Sequence, residues 1–214
     1  MQLIGMLDSP YVRRVAVSLQ LLGLPFEHRS VSVFRGFDEF SRINPVVKAP
    51  TLVCDDGSTL MDSTLIVDYA EALAAARPGS RSLMPAALAD RQRCLRLVGL
   101  ALAACEKSVQ IVYEHNLRPA EKLHAPWLNR VQGQLGAALD AIELELAQRP
   151  LAATRATIDQ AGVSCAVAWN FVREMQPVLA NATRHPALQA HWTRAEALRE
   201  FSNAPHGDGI VAAG

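Results

Sequence analysis

The chain has no excess of charge of either sign: 21 Lys and Arg stand against 21 Asp and Glu in 214 residues, and no stretch gathers one sign. Nucleic-acid binding leaves a basic footprint, so that class is set aside. No apolar run approaches the roughly 20 residues that cross a membrane. Residues 1–8 lack a basic segment and reach Asp8 before a secretory apolar core can form. The four cysteines (Cys54, Cys94, Cys105 and Cys165) include no CxxC pair, and are expected as buried free thiols of a reducing compartment. The histidines show no ligand spacing: His115 and His124 lie far apart, and His185 and His191 are six residues apart. No metal is expected. Internal repeats and low-complexity blocks are also missing. These absences describe a cytoplasmic protein with neither a nucleic-acid nor a membrane partner.

What remains is an ordinary globular composition, half apolar and one fifth charged, long enough for two small domains. The first eighty residues alternate strand and helix signals. A short apolar run at 2–7 suits a buried strand. Pro10 opens a helix in which Val12, Val15, Leu19 and Leu22 recur at helical steps, and Gly23 and Pro25 close it. A second strand is predicted over 26–33 and a short helix over 37–43, stopped by Asn44-Pro45. Strands at 50–54 and 58–61 are joined through Asp55-Asp56-Gly57, a hairpin turn, and a helix follows over 63–76. The order β-α-β-α-β-β-α, with an antiparallel last pair, fits neither a TIM barrel nor a doubly wound sheet.

Residues 77–85, with Pro78, Gly79 and two serines, read as a linker, and everything beyond is helical. A long helix is expected over 88–115. A second carries the stripe Leu128, Val131, Leu135, Leu139, Ile142 and Leu146. A third, apolar nearly all round, includes Ile158, Cys165, Trp169 and Val172. A last helix spans 186–201, and the final dozen residues read as a loose tail. The expected domains are 1–77, a linker at 78–86, and an all-helical domain at 87–214.

Three junctions can carry chemistry. Ser9-Pro10-Tyr11-Val12-Arg13-Arg14 lies where a strand hands over to a helix, whose unpaired N–H groups favour an anion. Ser9 there is either a plain N-cap or a donor to a thiolate. In Val47-Lys48-Ala49-Pro50-Thr51-Leu52, a trans Pro50 needs no function, whereas a cis bond would turn the Ala49 backbone outward to pair with a peptide-like ligand. In Asp62-Ser63 the carboxylate can receive an ammonium group, and the serine hydroxyl and N–H a carboxylate. A capped helix with an acidic start is the plainer reading.

Taken in order, Ser9-Pro10-x-x-Arg13, Asn44-Pro45-x-x-Lys48-Ala49-Pro50-x-Leu52 and Asp62-Ser63, followed by a Pro/Gly linker and helices, resemble the cytosolic glutathione transferase superfamily over essentially the whole chain. The resemblance is to bacterial-type members with serine at the catalytic position. It implies a thioredoxin-like N-terminal domain, an all-helical C-terminal domain and a homodimer. It implies that Ser9 stabilises the glutathione thiolate and that Ala49 pairs through its backbone beside a cis Pro50. Asp62 and Ser63 would hold the γ-glutamyl head group, and Lys48 would sit near the glycyl carboxylate. Tyr11, Ser108, Val112 and Tyr113 are the implied lining of a second-substrate pocket, while Trp169 reads as core. Arg13 matches a recurrent basic position but also suits a solvated helix face. The implied reaction is conjugation of glutathione, the co-substrate, to a small hydrophobic electrophile, a detoxification chemistry. A non-catalytic glutathione-binding module is the alternative, as is a glutathione-dependent isomerase, dehalogenase or peroxidase.

The chain departs from the family pattern at three places. Ser stands where thiol–disulfide members have Cys, so no mixed disulfide can form at that position. Val47 stands where Gly is common. In Thr157-Ile158-Asp159-Gln160 the expected capping box starts at Thr157 and closes on Gln160 rather than Asp.

Overall fold

The computed structural model describes residues 1–212. The chain divides into two compact units, one of residues 1–84 with those from 196 onward, the other of residues 85–195.

In the first unit the elements are β1 (Gln2–Ile4), α1 (Pro10–Leu21), β2 (Glu27–Arg29), α2 (Phe37–Ile43), β3 (Thr51–Val53), β4 (Thr59–Met61) and α3 (Ser63–Ala75). The sheet order is β2-β1-β3-β4, with β1 parallel to β2 and the other neighbours antiparallel. This is the thioredoxin-like arrangement expected from the sequence. The first two strands are shorter than the sequence segments that announce them. β1 stops because Gly5 turns the chain at φ +135°. β2 stops because Val31 N–H folds back onto the Arg29 carbonyl at 3.1 Å. The β3–β4 turn follows its sequence signal, with Gly57 at φ +84°. Ile4, Val31 and Phe40 pack together beneath the sheet, and α1 buries Val12, Val15, Val17 and Leu19.

Two further pieces complete this unit. Residues 82–83 are tied to α3 by Glu71, which accepts from Ser82 Oγ at 2.6 Å and Leu83 N–H at 2.8 Å. From Glu196 onward the chain belongs here rather than with the helices, which departs from the expected 87–214 domain. The expected helix over 186–201 is broken into α7 (Pro186–Glu196) and α8 (Arg199–Ser202), because Leu198 is extended at ψ 141°. Residues 203–212 are not a loose tail: Ser30 Oγ donates to the Asp208 carbonyl at 2.7 Å, and Ala212 N–H to the Asn203 carbonyl at 2.8 Å. The last two residues of that expected tail lie outside the described residues.

The second unit is helical: α4 (Leu88–Asn116), a 3₁₀ turn (Ala120–Lys122), α5 (Ala125–Gln148), α6 (Gln160–Met175) and α7 up to Ala195. α6 is buried nearly all round, as its composition predicts. Trp169 is core: it is fully buried, donates from Nε1 to Gln189 Oε1 at 2.9 Å, and meets the His185 ring edge-on. The cap of α6 differs from expectation. Asp159, not Thr157, is the N-cap and accepts from Gly162 N–H at 2.8 Å, while Thr157 pairs with Thr154 at 2.6 Å. A carboxylate next to the helix start wins over a hydroxyl two residues earlier because it also complements the helix dipole. Among the described residues no helix is long and apolar enough to cross a membrane.

Two buried histidines make stability depend on pH. His28 in the first unit and His191 in the second are held below the ordinary imidazole range, chiefly by burial, which disfavours the charged ring. Their stabilising contribution is therefore complete above about pH 6.5, the unfolded value, and is lost as pH falls below it. Urea midpoints are expected to stay level between pH 7 and 8 and to drop from pH 6.5 toward 5. A midpoint flat down to pH 5 would contradict this.

Candidate functional site

The three sequence junctions meet at one end of the sheet, and strand register is what brings them there. Ile4 lies opposite Thr51 and Thr51 opposite Met61. One step beyond each stand Gly5, Pro50 and Asp62. The loop from Gly5 to Ser9, the Ala49–Pro50 bond and the start of α3 are thus neighbours, although Asp62 lies 57 positions after Gly5 in the chain. The closeness is tight enough that a Cβ on Gly5 would lie 3.1 Å from Ala49 Cβ.

Ser9 is the N-cap of α1, with Pro10 at the first helical position. Its Oγ accepts from Val12 N–H at 3.4 Å, a long contact that leaves the hydroxyl proton to donate elsewhere. The first-turn N–H groups of a twelve-residue helix surround it with partial positive charge. Asp8, just before it, has its carboxyl pushed up by burial, against lowering by His206 and a hydrogen bond from the Ser9 backbone.

The Ala49–Pro50 peptide bond is cis. The loop before it is fixed by Asn44, whose Nδ2 donates to Thr51 Oγ1 at 2.8 Å and whose Oδ1 accepts from Val46 N–H at 3.0 Å. Thr51 Oγ1 in turn donates to the Lys48 carbonyl at 2.8 Å. Val47 stands at φ +52°, the left-handed region, which accounts for glycine being common there in the family it resembles. Lys48 is exposed and Ala49 half-buried. Among the described residues no backbone hydrogen bond engages the N–H or C=O of Ala49.

Asp62 also has a positive φ, +75°, and caps α3 by accepting from Thr64 N–H at 2.9 Å. Ser63 is buried, and its Oγ accepts from Arg14 Nη1 at 3.0 Å; the same nitrogen reaches Thr64 Oγ1 at 3.3 Å. With the acceptor side taken, the Ser63 hydroxyl is oriented as a donor. Arg14 is thus part of the site, and the sequence offers no signal that sets it apart from Arg13 beside it on the same helix. Arg13, by contrast, is neither solvated nor near Ser63. It is 2 % exposed and holds the C-terminal segment through Glu196 (2.7 Å, both carboxylate oxygens) and the Ala204 carbonyl (2.8 Å).

Of the four residues expected to line a second-substrate pocket, Tyr11 is half-buried in α1 of the first unit. Ser108, Val112 and Tyr113 lie on α4 of the second, respectively buried, half-buried and exposed.

The chain is similar in sequence and fold to glutathione transferases. Residues 3–78 match the family model described as glutathione S-transferase, N-terminal domain. The GST-like protein YibF of Escherichia coli K12 is 25 % identical over 177 residues, covering 83 % of this chain and 85 % of that protein. A glutathione S-transferase of Methylobacterium radiotolerans, solved with glutathione sulfonate, superposes with a TM-score of 0.85 at 25 % identity, covering 99 % of this chain and 98 % of the other. A glutathione transferase family member of Pseudomonas fluorescens Pf-5, solved with bound glutathione, has a TM-score of 0.77 at 29 % identity, covering 94 % and 96 %.

Proposed function

The chain belongs to the cytosolic glutathione transferase superfamily, and on that premise we propose that it binds glutathione at the Ser9–Ala49–Asp62 end of its sheet and transfers the thiolate to a small hydrophobic electrophile. The observation that carries this reading is the convergence, through strand register, of three groups matched to three parts of one tripeptide. The half-buried backbone of Ala49 offers an N–H and a C=O for a strand-like pairing with the cysteinyl residue. The Asp62 carboxylate has a second oxygen for the γ-glutamyl ammonium. Ser63, oriented by Arg14, donates to the γ-glutamyl carboxylate, and the buried guanidinium adds attraction for that anion. Lys48, exposed at the loop edge, takes the glycyl carboxylate. The glutathione sulfonate and glutathione bound to the Methylobacterium and Pseudomonas relatives support glutathione as the ligand. The same reading makes the protein a cytoplasmic homodimer.

Chemically, the site works by favouring the anion. The Ser9 hydroxyl and the α1 N-terminus stabilise the thiolate, the form that attacks electrophiles. A hydrogen bond to a charged acceptor contributes roughly 1.5–3 kcal/mol, and 1.4 kcal/mol is about one pKa unit. Ser9 by itself accounts for a lowering of about one to two units. Thiolate absorbance of bound glutathione, followed across pH, is expected to show that lowering in the wild type and its loss in Ser9→Ala, with turnover falling about 10- to 100-fold at neutral pH. Saturable binding with an unshifted thiol would instead identify a glutathione-binding module without this chemistry.

A further inference from the structure

The C-terminal strap, residues 204–212, runs against the loop that carries Ser9, and one buried side chain joins the two. His28 on β2 makes a hydrogen bond from each ring nitrogen. Nε2 meets the Gly5 carbonyl at 2.7 Å, and Nδ1 meets Val211 N–H at 3.1 Å. A carbonyl can only accept and an N–H can only donate. The pair therefore fixes the ring as the neutral tautomer with its proton on Nε2. Gly5 opens the Ser9 loop, and Val211 lies near the end of the strap.

We propose that His28 is a latch: in its neutral form it holds the C-terminal strap to the Ser9 loop, and protonation of Nδ1 removes the acceptor for Val211 and releases the strap. Beside the strap lies an open pocket of about 330 Å³ lined by Met6 of the Ser9 loop, Ser30, Val31, Ser32, Arg35 and, from the strap itself, Asp208. Arg13 anchors the strap's first residue through the Ala204 carbonyl at 2.8 Å; beyond that residue the strap's other ties are weak. Arg35 and Asp208 pair at 3.0 Å, but both side chains are over 70 % exposed, so this ion pair holds little. Ser30 Oγ to the Asp208 carbonyl is a single neutral hydrogen bond. Loss of the His28–Val211 bond alone corresponds to a roughly two- to tenfold rise in the open population. A buried imidazolium facing an N–H adds to that.

Other charged groups surround the latch. Glu27 and Arg29 flank His28 on β2, where Glu27 accepts from Gln2 and Arg29 pairs with Glu39. On the Ser9 loop stands Asp8, on the β2–α2 segment Arg35, and on the strap His206 and Asp208. His206, also on the strap, has a buried Nε2 without a hydrogen-bond partner among the described residues. The test must therefore separate the two histidines.

The experiment uses the full chain without glutathione, so its failure is distinct from failure of the transferase reading. All four native cysteines are buried, while Ile210 on the strap is 62 % exposed. Ile210→Cys carrying a small fluorophore reports strap mobility as anisotropy. Anisotropy is expected to be high at pH 8 and to fall in one titration below about pH 6.5, with far-UV circular dichroism unchanged. His206→Gln should keep that transition. His28→Phe, which has no acceptor, should show low anisotropy at every pH. Ring ¹⁵N shifts of the unsubstituted protein at pH 8 should show His28 as the Nε2–H tautomer, a readout that stands even if His28→Phe does not fold. Anisotropy that stays constant while His28 titrates, a transition that disappears in His206→Gln, or the opposite tautomer would each overturn the latch.

Discussion

Alanine at position 5 is expected to destabilise the first unit by roughly 4 kcal/mol and to abolish glutathione binding, without altering a single group that touches the ligand. Two effects add. Gly5 sits at φ +135°, where an L-residue is strained by roughly 1–3 kcal/mol. A Cβ there would also lie 2.6 Å from Val12 Cγ2 and 3.1 Å from Ala49 Cβ. Neither neighbour can swing away: Val12 is fully buried in the first turn of α1, and Ala49 precedes Pro50 in the loop tied down by Asn44 and Thr51. Such overpacking costs about 1–3 kcal/mol. Whatever moves to make room moves either Ser9 or Ala49. Urea unfolding gives the stability, and titration with glutathione gives the binding. Adding Val12→Ala to Gly5→Ala should restore the part due to the closest clash but not the part due to φ. A Gly5→Ala protein within about 1 kcal/mol of the wild type would mean that the loop does not turn as described.

Arg13→Met is the second large effect, at about 3 kcal/mol. The guanidinium is buried and donates to both oxygens of Glu196, to the Ala204 carbonyl and, at 3.5 Å, to the Phe201 carbonyl, and lies 5.8 Å from the Phe201 ring centre. Methionine fills much of the volume but leaves a carboxylate and two carbonyls without this donor. The loss should concentrate in residues 196–212, so hydrogen exchange there is expected to accelerate while β1, β3 and β4 stay protected. Replacing both partners, Arg13→Met with Glu196→Leu, should be less damaging than the single change, because the uncompensated carboxylate is gone. A single variant whose loss spreads evenly over the sheet would show that Arg13 does not act through the C-terminal segment.

Much of the first unit was legible in the chain because its signals are local. Ser9 before Pro10 caps a helix; Asp55-Asp56-Gly57 turns a hairpin; Asp62 opens α3. Each involves residues within a few positions of one another, where propensity and hydrogen-bonding chemistry act directly. Local signals misled where two competed. Thr157 and Asp159 both suit an N-cap, and the carboxylate prevailed. The apolar run at 2–7 and the loose alternation at 26–33 overstated β1 and β2, since the residues that turn away after each strand continue its pattern.

By itself, then, the sequence determined the order of elements, the two classes of structure along the chain and the polar residue at each strand–helix junction. Periodicity and capping depend on neighbours three or four positions apart. Only the tertiary structure decided that Arg13 anchors Glu196, that Arg14 orients Ser63, and that His28 meets Val211. Those partners lie 183, 49 and 183 residues apart, and a side chain's preference for such a partner leaves no periodic trace. Arginine and histidine read as surface residues until packing closes over them, and what keeps them buried is that each donor there finds its acceptor.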